Sequence, residues 1–264
     1  MRYLLLKKKM IPFFLIILFF SCASGRDIVY YQNIDNLSLN EKSNSYEINI
    51  QPDDLLYIIV SADDAEAAEQ FNLSSIKLTN PGRLDLSQGQ QMNQLYLVNE
   101  AGYINFPVLG KMKVSGLTRS ELLKVLEEKI GVYIKDPIIN LRINNFKVSV
   151  LGEVNAPGTY NIGSERITLI EALAMAKDLT IHGIRNNILI IREIDGIKSY
   201  NRVDITKADF INSSFYYLGQ NDVIYVEPNR NKINGAAVGP NTSVIISATS
   251  ILITLITLIV SLSK

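Results

Sequence analysis

Short runs of apolar and β-branched residues, separated by segments rich in Gly, Pro, Asn and Ser, dominate the first half of the chain. Such runs predict β-strands, which we place at 46–50, 55–60, 95–98, 103–106, 111–114 and 138–143. Residues 62–71 favour a helix, and the polar stretch 72–94 is predicted to be a long loop.

Two further helices are predicted by capping boxes, in which a hydroxyl residue is followed three positions later by Glu. Thr118 and Glu121 form the first box, and Gly131 is expected to end that helix. Thr168 and Glu171 form the second box. Leucine and isoleucine residues at helical spacing follow each box, so each helix has one apolar face.

The second half of the chain repeats the mixture of strands and one helix. Strands are predicted at 146–151, 158–162, 188–192, 199–203 and 223–227. The two strand-rich blocks, each with a capped helix, predict two compact α+β units that divide near Asn144 and Asn145.

The N-terminus has the pattern of a lipoprotein signal peptide. Basic residues and an apolar run occupy residues 1–21, and Cys22, the only cysteine, follows Ser21. A single cysteine cannot form an internal disulfide, and its position predicts lipidation at Cys22. An ordinary signal peptide followed by a spare thiol is the alternative. Residues 22–45 are polar and are predicted to form a solvated tether.

The C-terminal residues 243–264 are predicted to form a transmembrane helix after a linker at 231–242. A helix of this length extends about 33 Å, against a hydrocarbon core of about 30 Å. Its hydroxyl residues form one stripe at alternating spacings of three and four: Ser243, Ser247, Ser250, Thr254, Thr257 and Ser261. The stripe suits either packing against neighbouring helices or facing water in a lumen.

Charge and chemistry exclude several function classes. Lys+Arg and Asp+Glu both number 26, so no net charge favours nucleic acid. His182 is the only histidine, and no nucleophile, metal or cofactor motif is present. The adjacent acids Asp53 and Asp54 are predicted to lie in a turn or on a solvated surface. We therefore predict a non-enzyme without cofactor or metal.

Two sequence blocks resemble a known family. The stretch YLVNEAGYINFPVLGKMKVSGLTRSELLKVLEEKI at 96–130 is similar to the export domain of polysaccharide biosynthesis/export proteins of the Wza type. The stretches FKVSVLGEVNAPGTYNI, RITLIEALAMAKDLT and NDVIYVEP resemble the SLBB module that follows it. Residues at the motif positions are Gly102, Pro107, Gly110, Gly116, Leu117, Gly152, Pro157 and Gly158.

These motif residues are expected to have structural roles. Gly102 and Gly158 are predicted where turns need unusual backbone angles, Pro107 where a strand ends, and Gly116 before a helix cap. Asp53 stands where the family usually has Gly, and Asp tolerates left-handed geometry.

The resemblance implies an α+β fold, with an export domain at 46–144, one β-grasp-like SLBB domain at 145–230 and a C-terminal transmembrane helix. It also implies a lipid-anchored ring of identical subunits in the outer membrane, with its domains in the periplasm. Such a ring would conduct polysaccharide and dock with an inner-membrane polysaccharide co-polymerase or transporter. A monomeric lipoprotein that binds a glycan or small ligand, and a glycan-modifying enzyme, are the alternatives.

Overall fold

The computed structural model describes residues 28–36, 47–76, 91–93, 95–194, 196–237 and 240–262. Within these residues the chain is α+β, with two separate clusters of buried hydrophobic residues. Cys22 and the predicted signal peptide lie outside the described residues.

The first cluster belongs to a small antiparallel sheet covered by helices. Its strands and helices are β1 (Leu55–Ser61), α1 (Ala65–Glu69), β2 (Ser74–Ile76), β3 (Gln91–Asn93), β4 (Tyr96–Leu97), β5 (Tyr103–Phe106), β6 (Gly110–Lys113), α2 (Arg119–Ile130) and β7 (Ile138–Ile143). Strand β1 is central and pairs with β4 and β7. Alternate side chains of β1 are buried, and they pack in one cluster with Leu122, Leu126 and Ile130 of α2.

The second cluster belongs to a five-stranded sheet. Its elements are β8 (Lys147–Gly152), β9 (Gly158–Asn161), α3 (Leu169–Met175), β10 (Ile188–Ile194), β11 (Ile197–Val203), a 3-10 helix (Ala208–Asn212) and β12 (Val223–Val226). The strand order is β11-β10-β12-β8-β9, and only the β12–β8 pair is parallel among these pairs. Helix α3 contributes Leu169, Ala172 and Leu173 to the core.

The two capping boxes are confirmed. Thr118 accepts a hydrogen bond from the Glu121 N–H, and the Glu121 side chain accepts one from the Thr118 N–H. Thr168 and Glu171 make the same reciprocal pair. Because a capping box satisfies N–H groups that the first helical turn leaves unpaired, these short sequence signals determine where α2 and α3 begin.

The predicted transmembrane helix at 243–264 is wrong. Helix α5 (Pro240–Leu262) forms there, but no helix in the part of the chain that the structure describes is long and apolar enough to cross a bilayer. Ser and Thr side chains interrupt the apolar sequence of this helix.

Other differences from the predicted elements are local. Strands β2 and β3 pair within the stretch predicted as a loop, and α4 (Arg230–Ala237) occupies most of the predicted linker. Of the strand predicted at 46–50, the described residues contribute only a single bridge between Asn49 and Thr118.

Part of the predicted tether packs against the second sheet's domain. The Tyr31 ring stacks on Phe210 with centroids 5.5 Å apart, and the Gln32 N–H donates to the Thr206 carbonyl at 2.8 Å. The Tyr30 hydroxyl donates to Asp178 at 2.6 Å. Aromatic side chains bury apolar area that a purely polar tether lacks, so residues 28–36 pack on this domain instead of forming a solvated tether.

Candidate functional site

A cleft of about 610 Å³ lies where the two domains meet. Glu47, Ile48, Arg119, Ser120, Arg142 and Ile143 line it from the first domain. Phe146, Gly163, Ser164, Glu165 and Arg166 line it from the second. Ligand sites are commonly clefts of about 300–1,000 Å³ at domain interfaces, so this cleft is the candidate functional site.

Three buried or half-buried polar side chains, Asp54, Asn145 and Gln220, join the domains beside the cleft. We call them the junction network. Asn145 Nδ2 donates to the Asp53 carbonyl at 2.9 Å, and its Oδ1 accepts from the Leu55 N–H at 2.8 Å. Gln220 Nε2 donates to the Asn145 carbonyl at 3.0 Å and to Asp54 Oδ1 at 3.2 Å. The network therefore ties β1 to the loop before β12.

Asp54 is the most deeply buried member of this network, with only 1% of its surface exposed. Its Oδ2 accepts from the Gln51 N–H at 2.8 Å. Burial raises the pKa of Asp54 to about 6, although the hydrogen bonds from Gln51 and Gln220 oppose this rise. Asp53 before it has φ 68°, which confirms the left-handed turn expected there. The expectation of a solvated surface is wrong for Asp54.

A buried ion pair stiffens the loop that carries Gln220. Arg192 Nη2 lies 2.6 Å from Asp222 Oδ2, and it also donates to the Tyr217 carbonyl at 2.9 Å. The Gly219 N–H donates to Asp222 at 2.7 Å. Since both charged side chains are almost fully buried, these bonds hold the loop before β12 in one conformation.

Two acidic groups of the cleft already have partners. Glu47 accepts from the Ser120 hydroxyl at 2.8 Å and from its N–H at 3.2 Å. These two bonds, in that order, hold the pKa of Glu47 below its ordinary value. Glu165 pairs with Arg119 at 3.2 Å. The carboxylate of Glu47 thus lies at the positive N-terminus of α2.

The remaining two arginines of the cleft have no carboxylate partner among the described residues. Arg142 lies on β7, opposite Tyr57 of β1. The Arg166 guanidinium lies over the Tyr217 ring, 5.3 Å from its centroid. Both side chains are exposed. An arginine that is stacked but not ion-paired keeps its N–H donors available for an anionic oxygen.

The motif glycines and prolines lie in turns or at the ends of strands, and none of them lines the cleft. Gly102, Gly110, Gly116 and Gly152 all have positive φ, which glycine adopts without strain. Gly158 does not, so the prediction of an unusual angle there is wrong; it begins β9. Pro107 directly follows β5, as expected, and exposed Pro157 precedes β9. Leu117 is half-buried, and its carbonyl accepts a hydrogen bond from the Ile50 N–H at 2.9 Å.

The hydroxyl stripe lies on α5, away from the cleft. The hydroxyls of Ser250, Thr254 and Thr257 donate to carbonyls one turn earlier in their own helix, at 2.8 Å each. Ser247 and Ser261 are exposed, and the Ser243 side chain lies outside the described residues. Because these three hydroxyl protons are already used, Ser250, Thr254 and Thr257 present small side chains that require no further partner.

Sequence reasoning missed the cleft and its arginines. It also missed the roles of Asp54 and Gln220, although it placed the domain boundary at Asn144 and Asn145, where the network forms. The doubled Asn at a predicted boundary was the one available signal. Among the described residues, no group of three His, Cys, Asp or Glu side chains could hold a metal ion.

Comparison with known proteins gives two family matches that follow the two domains. Residues 42–144 match the polysaccharide biosynthesis/export protein family, and residues 146–226 match the SLBB domain. The matches meet at the junction network, so each domain carries one of them.

Two curated relatives are similar to part of the chain. One is the EPS I polysaccharide export outer membrane protein EpsA of Ralstonia solanacearum, 29% identical over 154 residues, which are 56% of this chain and 40% of the relative. The other is the protein of the same name from Ralstonia nicotianae, 37% identical over 84 residues, which are 31% of this chain and 22% of the relative. The aligned stretches thus span less than half of either relative.

Proposed function

Because this chain belongs to the polysaccharide biosynthesis/export protein family, we propose that it is a subunit of an outer-membrane conduit through which polysaccharide leaves the cell. The conduit is passive, and identical subunits form a ring. An inner-membrane polysaccharide co-polymerase or transporter supplies the driving force.

The observation that carries this proposal is the order of the two modules along one chain. The export-family match and the SLBB match are consecutive, and each coincides with a domain that has its own buried core. The relatives named as export outer membrane proteins share this region of sequence. In this reading the two domains stack in the periplasm, and Cys22 carries the lipid that attaches the subunit to the outer membrane.

Exposed apolar residues support assembly into an oligomer. Val132 and Ile138 of the first domain are 81% and 71% exposed, and the apolar side chains of α5 are largely exposed as well. Monomeric soluble proteins seldom leave extended apolar patches uncovered. We propose that neighbouring copies cover these surfaces, with the hydroxyl stripe of α5 packed between subunits.

Deleting the gene and restoring it on a plasmid tests the export role. The deletion strain is expected to retain polymer inside the envelope and to release little, and the intact chain should restore export. Release of normal amounts by the deletion strain would refute the proposal. Cys22→Ser provides an internal comparison, because loss of the lipid should reduce outer-membrane recovery of the protein and export together.

Native mass spectrometry of the purified full chain tests the ring. Replacing Ser250 and Thr254 by Leu tests the stripe, with the oligomer followed by native mass spectrometry and export followed in the complemented deletion strain. Loss of the oligomer supports packing between helices, whereas an intact oligomer with reduced export supports a stripe that faces the lumen.

A second candidate function is that of a monomeric lipoprotein that binds a glycan or small ligand. The cleft between the domains favours this alternative, because its volume is in the range of ligand pockets. A single monomeric mass at all concentrations, with normal export in the deletion strain, would favour it over the conduit.

A further inference from the structure

We infer that the cleft between the domains binds a ligand through an anionic oxygen group, a carboxylate or a phosphate, held by Arg142 and Arg166. The inference rests on the proposed function in one respect: if the chain exports polysaccharide, a saccharide is the expected carrier of the carboxylate or phosphate. The binding chemistry itself follows from the side chains of the cleft.

Three arginines and two glutamates line the cleft, so its formal charge is +1, and two of the arginines have no ion-pair partner among the described residues. Arg119 is neutralised by Glu165 at 3.2 Å, and Glu47 is held by Ser120 at the N-terminus of α2. In the described part of the chain, neither Arg142 nor Arg166 pairs with a carboxylate. Two guanidinium groups on the walls of one concave site attract an anion more strongly than two groups on a flat surface, because the low-dielectric walls focus their field.

Arg166 is held in position before any ligand arrives. Its guanidinium stacks on the Tyr217 ring at 5.3 Å, and its carbonyl accepts the Ser164 hydroxyl at 2.7 Å. The Tyr217 carbonyl is in turn fixed by Arg192 at 2.9 Å. Stacking covers one face of the guanidinium and leaves its N–H edges available for hydrogen bonds in the plane of the group. Less side-chain entropy is therefore lost on binding.

Arg142 lines the cleft from the first domain, and its backbone is held in a sheet. It belongs to β7, which is hydrogen-bonded to the central strand β1, so its backbone position varies little. Two further lining residues, Ile48 and Phe146, are buried and apolar. Apolar side chains combined with a few charged groups are the usual composition of a small-molecule site.

The position of the site across the domain boundary has a consequence for its geometry. Arg142 lies before Asn145 in the chain and Arg166 after it, so the separation of the two guanidinium groups depends on how the domains are joined. The junction network fixes that arrangement through Gln220 and Asp54. The ligand therefore bridges the two domains, and binding should protect the junction.

Isothermal titration calorimetry on the purified full chain tests the inference with three probes. An oligogalacturonide carries carboxylates, a malto-oligosaccharide of equal length carries none, and inorganic phosphate supplies the anion without a sugar. Binding of the oligogalacturonide, with no binding of the malto-oligosaccharide, supports a carboxylate-bearing saccharide. Binding of phosphate as tight as that of the oligogalacturonide supports a phosphate site instead. Absence of binding by both anions overturns the inference.

Arg142→Ala should weaken binding of the anionic probe by about 10- to 100-fold, as expected for a charged hydrogen bond. Arg142→Lys should retain part of the affinity, because it keeps the charge and loses the planar fork. Arg230→Ala is the matched control, since Arg230 is exposed on α4 and does not line the cleft. The affinity of this variant for the anionic probe should stay within twofold of that of the wild type. An equal loss in Arg142→Ala and Arg230→Ala overturns the site, and Arg166→Ala provides an independent test should Arg142→Ala unfold.

The outcomes separate this inference from the proposed function. If the deletion strain fails to export but the chain binds neither anion, only the cleft inference fails. If the chain binds and the deletion strain exports normally, only the proposed function fails.

Discussion

Removing the Gln220 side chain should weaken the connection between the domains. Gln220 is 2% exposed, and it makes three hydrogen bonds: from the Lys147 N–H at 2.9 Å, to the Asn145 carbonyl at 3.0 Å and to Asp54 at 3.2 Å. Gln220→Ala leaves two backbone groups and one carboxylate oxygen without these partners. At about 1 kcal/mol for each group, the free energy of unfolding should fall by about 3 kcal/mol.

Urea unfolding followed by circular dichroism and tyrosine fluorescence measures this loss, because the chain has 13 tyrosines and no tryptophan. Hydrogen exchange should locate it, with faster exchange at the amide of Lys147. Gln70→Ala is the matched control: Gln70 is exposed at the end of α1, and its replacement should change stability by less than about 0.5 kcal/mol.

The variant Gln220→Glu distinguishes loss of the hydrogen bonds from general disturbance of packing. The introduced carboxylate keeps an acceptor for the Lys147 N–H but lies against Asp54, and two adjacent carboxylates resist ionisation together. Its stability relative to the wild type should therefore fall as the pH rises above about 4, where both carboxyl groups ionise in the unfolded chain but resist ionising together in the folded one. A Gln220→Ala variant as stable as the wild type, or a Gln220→Glu variant with the pH dependence of the wild type, would refute the reasoning.

Three further predictions follow from single residues. Burial raises the pKa of Asp54 to about 6, so the protonated side chain contributes fully to stability below about pH 4. About 3 kcal/mol of this contribution should be lost as the pH rises to 6. The difference in unfolding free energy between wild type and Asp54→Asn, plotted against pH, measures this loss. Gly152→Ala should cost at least about 3 kcal/mol, because φ is 91° and a Cβ would collide with the Val226 carbonyl. Asp222→Ala should cost about 3–5 kcal/mol by leaving Arg192 buried and unpaired.

Each of these predictions has a matched comparison. Gly116 also has positive φ, 86°, but open space around its Cβ position, so Gly116→Ala should cost only about 1–2 kcal/mol; equal losses at both glycines would contradict the collision. A double change of Arg192 to Met and Asp222 to Leu should be less damaging than Asp222→Ala. A difference curve for Asp54→Asn that is flat between pH 4 and 6 would show that Asp54 does not titrate there.

Much of the local structure follows from local sequence. The capping boxes at Thr118 and Thr168 were predictable because each depends on a partner three residues away. The left-handed turn at Asp53 followed from a family position usually filled by Gly. Gly158 was predicted incorrectly, because a glycine next to a proline can serve either a turn or the start of a strand, and only the backbone path distinguishes them.

The sequence by itself determined the family, the order of the two modules and the starts of the two capped helices, since these depend on neighbouring residues or on motifs read in order. The tertiary structure alone decided which polar groups meet. Asp54 and Gln220 are 166 positions apart, and no periodicity links them. The cleft, which Arg142 and Arg166 line from different domains, likewise arises from the way two independent cores are joined. Such contacts depend on packing between domains, and packing is a property of the folded chain that no local pattern encodes.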